Sequence, residues 1–511
     1  MLAAVLGAVA FLLVRLVPDV TGKPIFSDEA VAGLVGARPF PEVVRTAVWE
    51  RGEAPLHFVL AHIALFVDPS VPALRWVSVV FAVAAVVVCF DLGRRLAGPL
   101  AGVTASVVAA ASTLLGIYGS LGRMYALLAF AGALAADLFV RALNERTASA
   151  ALAAAAAAWL LPASHTYGAV PVAAMTIVAP VVWRGRPLRP ALPVAAVALA
   201  TIPFLVADMR LASRFDLGTA VGKSRPVLSL HAMPGYFFDT FRSFAGGHGW
   251  TFILLSVLGL VGVVALARTR PAFVAFAGLS TAGVFVFLHL AKTNVHPYLS
   301  TRHLAFLLPL WAALIGAGSV WLVQRWGRRL TWLAVAAVAL VAVLAPDGGT
   351  VDPRSGFAGR RAALAEPVAW IDANVRSDDV LFPYSSLFLA ALPTTRHATV
   401  LTTRGPGDIV QEGLKRVHVP VRSLVISAPI GPYSPLEEGL VQSELGDSFE
   451  VHIFGPWLVV KAKGPFYDKR AMLQAGIRVV EAVKTASGGR VVLPRYRPPL
   501  CVGLRSLGAV C

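Results

Sequence analysis

Residues 2–30 read LAAVLGAVAFLLVRLVPDVTGKPIFSDEA, an apolar run of membrane length followed by a short turn that ends on the acidic pair Asp28-Glu29. Ionised carboxylates beside a bilayer are costly unless they are solvated or used. Beyond the pair a long amphipathic loop returns toward the membrane at Ala54-Pro55-Leu56-His57. The run up to Pro18 has no basic leader and no small-residue cleavage site, so it reads as a retained first helix and not a signal peptide. The pattern places reaction chemistry at a bilayer surface.

The rest of the chain extends this reading. Of 511 residues, 57% are hydrophobic and 14% charged, and the mean hydropathy of +0.72 excludes an ordinary soluble domain. A span needs about 20 apolar residues, and segments of about that length recur to about residue 345. The last part is more charged and richer in turns. Two domains are expected: a helical membrane domain over 1–346, with a first extracytoplasmic loop at about 19–72, and a soluble extracytoplasmic α/β domain over 347–511. The net charge of +17 does not point to nucleic acid. Its arginines fall in short clusters between apolar runs, as an orientation signal does.

Assigning those clusters to the cytoplasm makes the spans alternate. Arg94-Arg95, Arg141 with Arg146, Arg184 with Arg186 and Arg189, Arg268 with Arg270, and Arg325 with Arg328 and Arg329 occupy every second loop. The other loops hold the acids, most histidines and Lys292. The count is about eleven spans, among them the second at about 73–92, the third at about 99–118, the seventh at about 190–207 and the eleventh at about 330–345, with a cytoplasmic N-terminus and the C-terminal domain outside. Residues 55–67 are too short to span comfortably and read as an interfacial or re-entrant helix. In the soluble domain, 360–374 and 472–485 have helical spacing, 380–383 and 423–426 read as buried strands, and 449–454 with 457–461 form a hairpin around Gly455-Pro456. Cys89 reads as a core residue; Cys501 and Cys511 can pair if that domain lies outside the cytoplasm, geometry permitting.

The expected outer face collects Asp28, Glu29, Glu53 and His57 from the first loop, then Arg123, Tyr125, His165 and Tyr167, then Lys292, His296, Tyr298, Arg302 and His303. A carboxylate can act as general base on an acceptor hydroxyl. Fixed cations can stabilise a departing phosphate. A polyprenyl-phosphate sugar presents its phosphate at this depth. His57, His296 and His303 have no close ligand spacing with acids, so no zinc site is expected. No metal or other cofactor is required, and a divalent cation is compatible but not indicated.

Four motifs occur in a familiar order: Phe26-Ser27-Asp28-Glu29-Ala30, Ala54-Pro55-Leu56-His57, Gly122-Arg123-Met124-Tyr125-Ala126-Leu127, and Arg302-His303-Leu304 with Pro309. In this the chain resembles GT-C membrane glycosyltransferases, nearest the protein O-mannosyltransferases and lipid A aminoarabinose transferases. The resemblance covers most of the membrane domain. It implies inverting transfer of a sugar, mannose being the expected one, from a polyprenyl-phosphate donor to a protein, lipid or polysaccharide acceptor. Asp28 matches the family's first-loop aspartate, with Glu29 its neighbour in the catalytic motif. Arg123, Lys292 and Arg302 would hold the donor phosphate; His57, Tyr125, His165 and His303 would line the substrate. Two departures stand out. The aminoarabinose branch has a lysine before the returning proline, where this chain has Gly52-Glu53-Ala54-Pro55. Some members carry an aspartate where this chain has Arg123.

Ordinary structural readings compete at each position. Asp28-Glu29 can simply start a helix, Arg123 can snorkel, His165 can be a bonded loop residue, Lys292 can anchor at the interface, and Arg302 can meet lipid headgroups. The competing functions are a transporter or flippase, which predicts polar groups at the bilayer midplane and paired repeats, and a non-catalytic sensor or scaffold, which needs no acidic first loop.

Overall fold

The computed structural model describes residues 1–47, 55–182, 196, 199, 233–245, 249–290, 301–324, 336, 338, 340, 363–401, 413–430, 436–493 and 496–511. Among them, five helices are long and apolar enough to cross a membrane: Leu2–Gly22, Val71–Ala97, Tyr125–Glu145, Trp250–Thr269 and Arg302–Gln324. Shorter apolar helices accompany them, including Pro55–Val67, Pro99–Ala111, Ala148–Ser164 and Pro271–Val284. The protein is a multi-pass membrane protein. The spans expected at about 190–207 and 330–345 fall almost wholly outside the described residues.

Helix α1 (Leu2–Gly22) buries Val5, Ala8, Leu12, Leu16 and Val20, one stripe at helical spacing. Leu2, Leu6 and Val14 stay exposed on its other face, as suits a helix that meets lipid. Two short helices follow in the first loop, α2 (Ser27–Gly36) and α3 (Phe40–Arg45), then α4 (Pro55–Val67). With 13 residues, α4 is about 20 Å long, short of the hydrocarbon core.

Helix α5 (Val71–Ala97) is the longest among the described residues, at 27 residues or about 40 Å. The Ser70 hydroxyl caps its start by accepting from the Ala73 N–H at 3.3 Å, and Gly98 ends it at φ 93°, a left-handed value that suits glycine. At that end Arg95 joins Asp91 and Asp137, the latter on α8 (Tyr125–Glu145), with a 2.8 Å bond to Asp137. The third expected span is not one continuous helix. It breaks at Ser112 into α6 (Pro99–Ala111) and α7 (Thr113–Tyr118). The Ser112 hydroxyl caps α7 at the Leu115 N–H, while Arg15 of α1 donates to the carbonyls of Ala110 and Ser112. The freed backbone groups are therefore satisfied inside the bundle. The alanine-rich α9 (Ala148–Ser164) buries Ala150, Ala151, Ala154, Ala155, Ala157 and Ala158, the close packing that small residues allow.

The C-terminal part holds a five-stranded mixed sheet built from β1 (Val380–Phe382), β2 (Thr399–Val400), β3 (Val421–Pro429), β4 (Phe449–Phe454) and β5 (Trp457–Phe466), in the order β2-β1-β3-β5-β4. β1 runs parallel to both β2 and β3, while β3, β5 and β4 are antiparallel. Alternation along the strands feeds two cores. Leu424, Ile426, Leu458 and Val460 pack under the helices Lys469–Ala486 and Arg497–Ser506. Val425, Trp457 and Val459 face the other way, into a core completed by Ile371, Phe388 and Leu389 and by Ala30, Leu34, Val43 and Phe58 of the first loop. The loop helices thus form the second covering layer of the sheet.

The expected strands and helices are present with shifted edges: the first helix is Ala365–Asn374, and β3 and β5 extend beyond the residues expected. The helices Glu438–Leu445 and Arg497–Ser506 had no expectation. Cys501 and Cys511 are joined, with Cα atoms 5.2 Å apart, and Cys89 is free and buried. The expected boundary at 346/347 lies outside the described residues.

Candidate active site

Glu29 is held from three sides. It sits at the third position of α2, where its Oε2 reaches back to accept from the Phe26 N–H at 2.8 Å, as an acidic residue in a first helical turn does. Its Oε1 accepts from the Gly122 N–H at 2.9 Å. Arg75 of α5 donates to both oxygens, at 2.8 and 2.9 Å. The same guanidinium donates to the carbonyls of Asp19, Val20, Lys23 and Pro24. One buried arginine therefore collects the end of α1, the turn behind it and the start of α2. Glu29 is fully buried with both oxygens engaged by these donors. Glu29, expected as a catalytic carboxylate beside Asp28, is placed by these four bonds at the junction on which Asp28 sits.

Asp28 faces elsewhere. Its Oδ2 lies 3.4 Å from Arg302 Nη2, and both side chains are nearly buried. Arg302 and His303 come from the 3-10 turn Thr301–Leu307 that leads into the helix Leu308–Gln324. The Arg302 guanidinium lies 5.2 Å from the Tyr125 ring centroid, a cation–π approach. From Tyr125, the first residue of α8, ring contacts run to Tyr118 at 5.2 Å and His303 at 6.0 Å, and from His303 to His165 at 4.9 Å and Tyr167 at 5.9 Å. His165 ends α9, and its Nδ1 accepts from the Tyr167 N–H at 3.2 Å. Three distant chain segments thus contribute to one wall of rings beside an acid–arginine pair.

His57 and Arg123 form a second group. His57 opens α4 and is 1% exposed; Arg123 follows Gly122 in the loop before α8 and is 6% exposed. Ser78 of α5 pins this loop by donating to the carbonyls of Leu121 and Arg123. Gly122 has no room for a side chain: a Cβ there would lie 2.7 Å from Leu74 Cγ and 3.3 Å from Glu29 Oε1. Burial first, and the Arg123 charge second, push His57 down to about 3, so its ring is neutral at ordinary pH.

No protein-family model and no curated protein matches this sequence. Solved structures do match the fold. ArnT from Cupriavidus metallidurans bound to undecaprenyl phosphate superposes with a TM-score of 0.61 at 13% identity, covering 91% of this chain and 99% of that one. This chain has the GT-C fold. The apo form of the same ArnT gives a TM-score of 0.57 at 14% identity, over the same shares of the two chains. The archaeal oligosaccharyltransferase AglB from Archaeoglobus fulgidus is a weaker likeness, with a TM-score of 0.45 at 12% identity, over 83% of this chain and 69% of that one.

Within this GT-C fold, Asp28, Tyr125, His165, Arg302 and His303 converge. His57 bonds to the Gly122 backbone, and Arg123 is the next residue of that loop. Lys292, Glu53, His296 and Tyr298 lie outside the described residues. Arg75, Ser78 and Tyr118 were not anticipated. Arg75 carried a readable signal: an arginine just inside the expected outer end of an apolar helix opposes the orientation rule and asks for a buried partner.

Proposed function

We propose that this protein is a membrane glycosyltransferase that moves a sugar, mannose by the sequence reading, from a polyprenyl-phosphate donor to an extracytoplasmic acceptor with inversion. Support for a lipid-linked donor comes from the GT-C fold and from the likeness to an ArnT bound to undecaprenyl phosphate. The observation that carries the reading is the Asp28–Arg302 pair at 3.4 Å beside the Tyr125–His303–His165 wall. A base and a cation held at one point are what transfer from a phosphate carrier needs.

In this reading Asp28 takes the proton of the acceptor hydroxyl as its oxygen bonds to the anomeric carbon. The bond from that carbon to the phosphate oxygen breaks, and its electron pair leaves with the polyprenyl phosphate. Arg302 exchanges part of its attraction for Asp28 against the phosphate charge that develops. Lys292 and Arg123 are the further cations that the family resemblance assigns to this face. The acceptor hydroxyl, whether on protein, lipid or polysaccharide, attacks the anomeric carbon from the face opposite the phosphate, as inversion requires. The N-terminus is then cytoplasmic and the sheet domain extracytoplasmic.

The test is reconstitution in liposomes with undecaprenyl-phosphate mannose and extracted envelope acceptors, followed by mass spectrometry. A glycosylated acceptor and released undecaprenyl phosphate are expected. Movement of the intact sugar-lipid across the bilayer with no cleavage would replace this reading with that of a flippase.

A further inference from the structure

Two buried polar atoms at the edge of the site have no hydrogen-bond partner among the described residues, His57 Nε2 and Arg123 Nε. Neither group can easily retreat. Arg123 is on the loop that Ser78 and Glu29 hold through the backbone of residues 121–123. His57 is 1% exposed in the first turn of α4. Buried polar atoms are nearly always paired, so each orphaned atom points to something that completes it.

The two atoms ask for opposite things. Arg Nε carries a hydrogen and only donates. A neutral imidazole has one donor nitrogen and one acceptor nitrogen. The Gly122 backbone bond raises the proton affinity of the His57 ring, as a bond donated to a carbonyl does. Nε2 is then the lone-pair acceptor. A phosphate oxygen would satisfy Arg123 and leave the ring nitrogen unpaired, because an ionised phosphate only accepts. A hydroxyl donates and accepts at once, and is the one group that can complete either atom. Arg302 lies in a different setting, against Asp28 and over Tyr125.

We infer that His57 and Arg123 form a hydroxyl-binding subsite that reads the donor's sugar, separate from the phosphate held at Arg302. The inference rests on the transferase reading above and moves Arg123 from phosphate binding to sugar recognition. A site built to bond a hydroxyl rejects an analogue lacking it more strongly than an apolar pocket rejects a size change.

The test uses the full-length protein in nanodiscs. Undecaprenyl phosphate is compared with its mannose, glucose and galactose conjugates, and with singly deoxygenated forms of the preferred one. Wild type is expected to bind one conjugate more tightly than the bare carrier, and to lose about tenfold or more on removal of one particular hydroxyl. His57→Phe and Arg123→Met are expected to abolish that discrimination while leaving bare-carrier affinity within about twofold, and His57→Gln, which keeps an acceptor, to retain part of it. Bare-carrier affinity falling as far as conjugate affinity in a variant that melts like wild type would make Arg123 a phosphate ligand and overturn the inference. Equal binding of every deoxy form by wild type would overturn it without any variant. A wild type that prefers no conjugate to the bare carrier would fail the transferase reading itself.

Discussion

The Arg75 guanidinium meets both oxygens of Glu29, at 2.8 and 2.9 Å, with both side chains buried. The pair lies one residue from Asp28 and joins α1, α2, α5 and the Gly122 loop. Breaking a buried pair by removing one partner leaves an uncompensated charge and costs about 3–5 kcal/mol. Arg75→Met and Glu29→Gln are each expected to destabilise on that scale. The double variant is expected to lose less than the sum of the two, and thermal melting in detergent across the four-member cycle checks the coupling. Simple additivity would mean that the pair does not act as a unit.

Gly122→Ala is the smallest change that probes the same junction. The added methyl would meet the side chains of Leu74 and Glu29. Overpacking of this kind costs about 1–3 kcal/mol. A lowered melting temperature and a reduced transfer rate are expected, with Ala substituted at the exposed Gly439 as a neutral control.

His57 sets a pH dependence whose sign is fixed. The folded ring is held at about 3 by burial and by Arg123, against about 6.5 when unfolded. Between those values the unfolded chain binds one more proton, so stability rises with pH. The contribution is complete above about 6.5 and is lost as pH falls below it, at about 1.4 kcal/mol per pH unit. Melting of wild type and His57→Gln from pH 7 to pH 4 checks this, and the variant is expected to show the shallower slope.

The sheet domain braces the first loop from the other side. Arg38 donates to Tyr384 Oη at 2.5 Å, to Thr46 at 2.9 Å and to the Val400 carbonyl at 3.3 Å. Leu389 packs against Gly33 of α2. Arg38→Ala leaves three acceptors without this donor, at about 1–3 kcal/mol. Limited proteolysis is expected to cut the first loop of this variant faster than that of wild type, and unchanged cutting would show that the apolar contacts suffice.

The distribution of these features explains what could be read from the sequence. Asp28, Tyr125, His165, Arg302 and His303 were legible because the orientation rule sorts loops by side, and side alone nearly assembles the wall of rings. Glu29 and its neighbour Asp28 have the same chemistry but different surroundings. What separates them is a partner 46 residues away and a backbone N–H 93 residues away, which no local pattern shows. Arg75 was hidden in an apolar run read for its length. The break at Ser112 was hidden for a similar reason, since a serine in an alanine-rich run differs little in hydropathy from its neighbours, and only the caps and Arg15 reveal it. The sheet showed itself through strand alternation. That the first loop supplies half of one of its cores depended on tertiary contacts.

The central claim is that Asp28 acts on the acceptor while cations hold the carrier phosphate. Single-turnover transfer from undecaprenyl-phosphate mannose by Asp28→Asn tests it most directly. The rate is expected to fall by about 10²–10⁴-fold with undecaprenyl phosphate still bound, the range for loss of a general base. A variant that turns over at the wild-type rate would contradict the account.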